Sequence, residues 1–475
     1  MEEILNANKL LYSLPIGVDA VSNSTTTINN FNPNFYETTG GDTMFVQFPK
    51  TTTYLDALNS YIKFKLKVVN VNGGSIYCFS NYNNNTSVDN FNGGASVMNL
   101  IESVELTSEG GQCLFRELFI NEMQTVREYR NNISRKNYLS FMGGICDNSL
   151  MDPDVPENRY PIYDGAKDTS FYIPLTEISP FFNGVLIPDL LLSNAILKIK
   201  FSNIGVNTKS FEIDPTGILI NVSSTNNTAV LTNVALILSQ KELYEEVRET
   251  INKKLKSPEG LEYSYYTNFN TSFVFENNTA GQDYKIPLNL SAGKIKYVCI
   301  KPTNPDLVNI IPIASTSWNE FYPPNGNSGV DSFNMPFGLQ IRLGNNVLST
   351  YEVKTIPEMY EQTIRTLSNI SYGDCQDIDV DRCINKKSTG CVPFYNYARV
   401  SPFAFRMVTT RGVLFGFNFD RVEGLGVSGL STNVERLLEV DVSNFKTNNT
   451  PTWYFQIQYL QTANIFSDGQ IAINR

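Results

Sequence analysis

VELTSEGGQCLFRELF, residues 104–119, runs from a short alternating β pattern through a Gly110-Gly111 turn into a second short strand and then into helical spacing. LQIRLGNNVLSTYEV, residues 339–353, repeats that order: Leu339 to Leu343, a Gly344-Asn345-Asn346 turn, Val347 to Val353, then a helix from Pro357 to Leu367. In the first copy the helix is marked by Phe115, Phe119, Met123, Val126 and Ile133. Arg127, Arg130, Arg135 and Lys136 lie toward its end, where cations suit the helix dipole. A long acidic loop follows each helix. The closing strands also correspond, Val234 to Leu238 in the first half and Trp453 to Tyr459 in the second. Two copies of one β-domain account for the 475 residues, because about eight strands of about six residues plus loops fill half of the chain.

Outward from these stretches, short β-rich runs alternate with Gly, Asn and Pro turns: Met44 to Phe48, Tyr61 to Val71, Ile101 to Leu106, Phe171 to Leu175, Ala195 to Phe201 and Asn233 to Leu238. Such spacing belongs to a sandwich or barrel. Residues 1–40 combine an amphipathic stretch, Ile4 to Leu14, with the polar run Val21 to Thr27, and read as an N-terminal arm. Ser239 followed by Glu242 is a capping-box pattern, with Leu243, Val247 and Ile251 on one face and Lys253, Lys254 and Lys256 ahead of Pro258. The resulting division is an arm at 1–40, a first β-domain at 41–240, a linker helix at 241–260 and a second β-domain at 261–475.

Composition narrows the function. The chain is 41% hydrophobic, enough for a core of normal size, and only 18% charged, with Tyr, Phe, Asn, Thr and Ser abundant. A net charge of −10 argues against phosphate gripping as the main task and predicts no sequence-specific nucleic-acid binding. The start Met1-Glu2-Glu3 lacks a basic n-region and an apolar h-region, and seven cysteines is an odd number, so the expectation is a reducing compartment and no signal peptide. No apolar run reaches the roughly eighteen residues of a membrane span. With no histidine, Ser-His-Asp triads, Cys-His pairs and His-based zinc sites are excluded.

Each remaining constellation has a plainer reading. Asp374, Asp377, Asp379 and Asp381 alternate like a calcium loop, but Ser388 stands where a bidentate Glu is needed, so a solvated loop is expected. Cys375, Cys383 and Cys391 lack a fourth ligand and read as free thiols. Gly424 to Gly429 matches a dinucleotide fingerprint in spacing, but no crossover helix follows. Asp152, Asp154 and Glu157 read as a surface loop rather than a glycosidase pair, and the Arg127 to Lys136 cations as a solvated helix face. The Asn132 and Asn289 sequons are those expected by chance in an Asn- and Thr-rich chain. No catalytic, cofactor-binding or metal residue is assigned, and the chain is read as not an enzyme.

The order of features resembles the double jelly-roll major capsid proteins of adenoviruses, nucleocytoplasmic large DNA viruses, virophages, Polinton-like elements and some tailless bacteriophages. Tyr54 to Ile62 followed by Lys63 to Val69 resembles their early strand, with an aspartate and a small-residue–Tyr step into alternating hydrophobics. Val104 to Leu106 with its glycine turn and helix is similar to their next hairpin and helix. The passage Leu236 to Tyr265 looks like their link between jelly rolls. Val427 to Arg436 resembles the Ser-Gly…Asn…Arg segment late in their second jelly roll.

The resemblance implies an all-β fold of two consecutive eight-stranded antiparallel jelly-roll domains with short inserted helices. It also implies a major capsid protein whose homotrimers form pseudo-hexagonal capsomers tiling an icosahedral virion shell. Implied partners are neighbouring capsomers, penton and minor capsid proteins and an internal membrane, with assembly inside the host cell. The inserts Ser80 to Gly94 and Trp318 to Ser332 are the candidate outer towers. The alternative is a minor capsid or spike protein, or another β-sandwich binding protein.

Overall fold

In the computed structural model the described residues are 21–31, 41–70, 76–79, 97–123, 126, 130, 163–164, 168–183, 186–202, 208–213, 219–221, 227–301, 334–349, 351–367, 391–392, 395–401, 404–408, 414–419, 429–432, 437–447 and 450–474. Expectations for Ile4 to Leu14, the inserts 80–94 and 318–332, and the acidic segments 152–157 and 374–388 lie outside them.

Alternation of apolar and polar residues builds the first half. Strand β2 (Thr43–Gln47) buries Met44 and Val46, and Ile196–Phe201 buries Leu197, Ile199 and Phe201. In chain order the strands are β1 (Val21–Asn30), β2, β3 (Tyr54–Asn70), β4 (Ile76–Phe79), β5 (Ile101–Thr107) and β6 (Cys113–Glu117). There follow β7 (Tyr163–Asp164), β8 (Thr169–Pro174), β9 (Ile196–Phe201), β10 (Thr208–Ile213), β11 (Leu219–Asn221) and β12 (Asn227–Leu243). One sheet has the order β1-β12-β3-β8 and a second β2-β9-β5-β6. Their apolar faces share a core, Ile62, Phe64, Leu66, Phe171 and Leu236 from one and Met44, Val46, Val104, Leu106 and Ile199 from the other. This path between two four-stranded antiparallel sheets is a jelly roll. Strands β4, β7, β10 and β11 make a separate small sheet.

The second half repeats the plan with β13 (Leu261–Val274), β14 (Asn278–Leu288), β15 (Ile295–Lys301), β16 (Asn334–Leu343), β17 (Asn346–Val347) and β18 (Val353–Thr355). Then come β19 (Cys391–Val392), β20 (Tyr395–Ser401), β21 (Ala404–Val408), β22 (Phe415–Asn418), β23 (Leu438–Thr447), β24 (Thr452–Ile465) and β25 (Ile471–Asn474). The sheets are β13-β24-β15-β22, with β25 beside β24, and β14-β23-β16-β17, with β18 beside β16. Position for position these match β1-β12-β3-β8 and β2-β9-β5-β6. Trp453, fully buried, centres the core, its ring 4.7 Å from Phe275, 5.1 Å from Phe445 and 5.3 Å from Phe337.

Three sequence expectations are corrected. Val21–Asn30, placed in an arm, is β1 and pairs with β12 from Val21 opposite Leu243 to Asn30 opposite Ala235. An outer strand with one solvated face tolerates its Ser, Thr and Asn side chains. Phe115, placed at the head of a helix, lies in β6. Of that stretch Val126 and Arg130 are helical, while Arg127, Ile133, Arg135 and Lys136 lie outside the described residues. Ser239 does not cap a helix. It sits inside β12, its N–H bonded to Ser60 Oγ at 2.9 Å, and the helix Glu245–Leu255 starts after Tyr244 with no side-chain cap. That helix buries Val247, Ile251 and Leu255 against Leu261, Tyr263 and Ile465, so it joins the core of the first barrel to strands of the second.

Two quoted motifs have structural duties. Asp56 is buried and accepts from Asn59 Nδ2 at 2.8 Å, while Ser60 Oγ donates to Asp56 O at 2.7 Å and takes the Ser239 N–H, locking an irregularity of β3 onto β12. In the late Ser-Gly segment, Leu430 and Ile295 exchange backbone hydrogen bonds. Thr432 Oγ1 donates to Leu290 O at 2.7 Å and accepts from Ala292 N at 3.0 Å, closing the β14–β15 loop.

Candidate functional site: the polar seam between the barrels

Strands β15 and β24 are buried on both faces, from Tyr297 to Lys301 and from Phe455 to Tyr459. Their inward row, Val298, Ile300, Phe455 and Ile457, fills the second barrel. Their outward row is polar: Gln456 pairs in register with Asn270 and Cys299, and Gln458 with Asn268 and Tyr297. Polar side chains are buried only where something covers them and supplies partners. The cover is β6 of the first barrel and the turn that follows it.

Glu117, 2% exposed, ends β6 and points into this row. Its carboxylate accepts from Asn268 Nδ2 at 3.0 and 3.2 Å, from Asn270 Nδ2 at 3.3 Å and from Ser179 Oγ at 2.9 Å. Asn270 Nδ2 also donates to Leu118 O at 2.7 Å, and Tyr265 Oη to Leu114 O at 2.9 Å. Leaving a buried donor without its acceptor costs about 1–3 kcal/mol, so the bonds from Asn268 and Asn270 make Glu117 a tie between the barrels. Beside it the Phe181 ring lies tilted against Phe115 at 5.3 Å and meets Tyr265 edge to face at 4.8 Å. Glu177, also buried, is paired with Arg130 at 3.2 Å. Of the expected basic helix face, this one described cation is turned to an internal ion pair.

The turn after β6 is strained. Phe119 has a φ of 53°, a left-handed conformation that costs a bulky residue about 1–3 kcal/mol. Its carbonyl accepts from Glu122 N and Met123 N, and its ring packs 5.1 Å from Tyr454. Met123 and Val126 then cluster with Tyr297, Cys299, Leu367 and Leu414. Leu367 ends the helix Ile356–Leu367, which rests on β22 where Gly416 leaves room: a Cβ there would stand 2.8 Å from the Thr366 side chain and 2.9 Å from Thr363 Cα. Lys301, 1% exposed, donates to Glu122 O at 2.7 Å. Burial pushes the Glu122 carboxyl up to about 7, against a smaller opposing pull from Lys301. Burial and then the Glu122 charge push the Tyr454 phenol above its usual range. Burial alone raises the Cys299 thiol.

The seam is therefore a scaffold of fixed donors and acceptors. Neither Glu117 nor Glu122 was singled out in the sequence. Among the described residues no group of three or more His, Cys, Asp or Glu side chains is placed to hold a metal ion, and no helix is long and apolar enough to cross a membrane. Asn289 is exposed, Cys391 lies in β19, and Asp152, Asp154, Glu157, Asp374 to Asp381, Cys375, Cys383 and Gly424 to Ser428 lie outside the described residues.

Two complete jelly rolls fused through such a seam define the chain's class: it has the double jelly-roll fold. Among solved structures it is similar to PBCV-1 VP54, from a crystal structure fitted into a reconstruction of the virophage Sputnik, with 12% identity over 98% of this chain and 99% of that one and a TM-score of 0.54. It is similar to the Sputnik virophage structure, with 13% identity over 97% of this chain and 90% of that one and a TM-score of 0.55. The Faustovirus major capsid protein matches with 8% identity over 95% of this chain and 93% of that one and a TM-score of 0.52. By sequence, no protein family and no characterised protein matches the chain.

Proposed function

We propose that the chain is a major capsid protein whose trimers form pseudo-hexagonal capsomers of an icosahedral shell, with a structural rather than catalytic role. The observation that carries this reading is the pair of complete, same-topology barrels fixed side by side by a buried polar seam. A chain built this way supplies two similar edges, and three such chains close a six-edged tile. Similarity in fold to virophage and large-virus capsid structures over nearly the whole chain supports the same reading. Its place is then the virion capsid, with neighbouring capsomers, penton and minor capsid proteins as partners.

Sedimentation of the purified chain tests it. The expected mass is three times 53.4 kDa, with hexagonal outlines in negative-stain micrographs. A stable monomer at micromolar concentration refutes it.

A further inference from the structure

We propose that the seam between the barrels encloses bound water molecules, which donate to the amide oxygens of Asn268, Asn270 and Gln456 and join the barrels through a wet joint. The inference is independent of the capsomer reading.

The seam is short of donors. Asn268 Oδ1 and Asn270 Oδ1 on β13, Gln456 Oε1 on β24 and Asn121 Oδ1 on the covering turn are sealed from solvent and meet no hydrogen-bond partner among the described residues. These four side chains are between 6% and 9% exposed. Ten buried side-chain nitrogen or oxygen atoms among the described residues lack a partner, and five of them belong to this polar row or to the turn over it. All five are oxygens. A mixture of nitrogens and oxygens would be mended by turning amides round, whereas a set made only of acceptors needs donors from outside the chain.

Glu117 is the cause of the shortage. A carboxylate only accepts, so it draws the Nδ2 groups of both asparagines toward itself and leaves their oxygens facing elsewhere. Leu118 O holds Asn270 Nδ2 in the same sense. Flipping either amide would set its oxygen against the carboxylate. Register puts Gln456 directly opposite Asn270, where Cβ atoms of neighbouring strands stand about 4.5–5.5 Å apart, with Asn268 one diagonal step away. A water molecule donates twice and so serves two such oxygens at once. Buried water takes up this kind of place, making about three hydrogen bonds to polar groups that the chain leaves unpaired. Two donors of the chain fall short of the need. Lys301 spends an N–H on Glu122 O, and Glu122, whose burial favours the protonated form, has one proton for four acceptors. A metal cation is the competing occupant, but the Glu117 charge is already met by Asn268, Asn270 and Ser179, which leaves neutral amides to hold the ion. Water asks for no charge.

X-ray diffraction from crystals of the full chain, at a resolution that shows ordered solvent, tests the proposal. Solvent peaks are expected about 2.7–3.2 Å from Asn270 Oδ1 and Gln456 Oε1. Oxygens packed against carbon with no peak between them would overturn it. So would a cation, recognised by peaks at about 2.3–2.6 Å or by anomalous signal after growth in rubidium chloride. In solution, oxygen-17 relaxation dispersion counts long-lived internal waters. Gln456→Met, which keeps the length of the side chain and removes its acceptor, is expected to lower that count by at least one, and an unchanged count would overturn the proposal. Should the variant fail to fold, the diffraction experiment on the unmodified protein decides.

Discussion

Replacing Glu122 by Gln should flatten the pH dependence of stability between pH 5 and pH 8. The carboxyl lies in the seam with Oε2 sealed from solvent and unpaired, facing Lys301 from β15 and Tyr454 from β24. Its value is pushed from 4.5 to about 7, whereas the unfolded chain keeps the ordinary value. Below pH 4.5 the group is protonated in both states and costs nothing. As pH rises toward 7 only the unfolded chain ionises, so folding stability falls, and above 7 the loss is complete. The raised value corresponds to about 3 kcal/mol. Exposed-side carboxylates act in the other direction and at lower pH. Glu105, despite the burial that raises it, is lowered by its hydrogen bond from Lys198, and Glu352 likewise by Lys354, so their contributions are lost only as pH falls below 4.5. Urea unfolding at pH 5, 6, 7 and 8 measures the difference. The unmodified protein should lose up to about 3 kcal/mol across that range from this group, and Glu122→Gln should lose correspondingly less. Identical slopes would refute the reasoning.

Glu117→Leu should destabilise the protein by more than about 3 kcal/mol, because it strips an acceptor from three buried donors. Urea unfolding should become biphasic as the barrels uncouple, and an unchanged single transition would count against Glu117 as a tie. Trp453→Ala should cost about 3–5 kcal/mol by opening a cavity among four aromatic rings, read as a fall in melting temperature. Gly416→Val should cost about 1–3 kcal/mol or more by pushing the helix Ile356–Leu367 off β22, with amide exchange of that helix accelerated. Exchange confined to β22 would show that the helix yields without unseating.

Strand pattern and repeat were legible where one face met water, as in β2 and β9, whose alternation is simple. Recognition of the two β-domains came from such segments and from the paired strand–turn–strand order at 104–119 and 339–353. The Ser239 to Glu242 pattern misled because capping-box spacing is a purely local signal, whereas the Ser239 N–H is held by Ser60 Oγ of β3, distant in sequence. Residues 21–30 were misread for a related reason: a sheet edge needs no apolar alternation, so its pairing with β12 leaves little trace in composition. The seam was illegible. Glu117 meets Asn268 across 151 positions of sequence, and a polar row buried by another domain reads locally like a row facing solvent.

The long reach of the strand pairs also governs how the chain can be made. Strand β3 ends at residue 70, yet its central partner β12 starts at residue 227. At synthesis rates of about 5–20 residues per second, seventeen residues of β-prone chain wait roughly 8–30 s for that partner. When β12 has emerged and the first barrel can close, β13 is still inside the ribosome, so Glu117 faces water until the next strand arrives to meet it. A nascent chain carrying two such waits, one per barrel, invites pairing with identical chains on the same polysome, and holding factors that shield β3 and β15 during translation should raise the yield of folded protein.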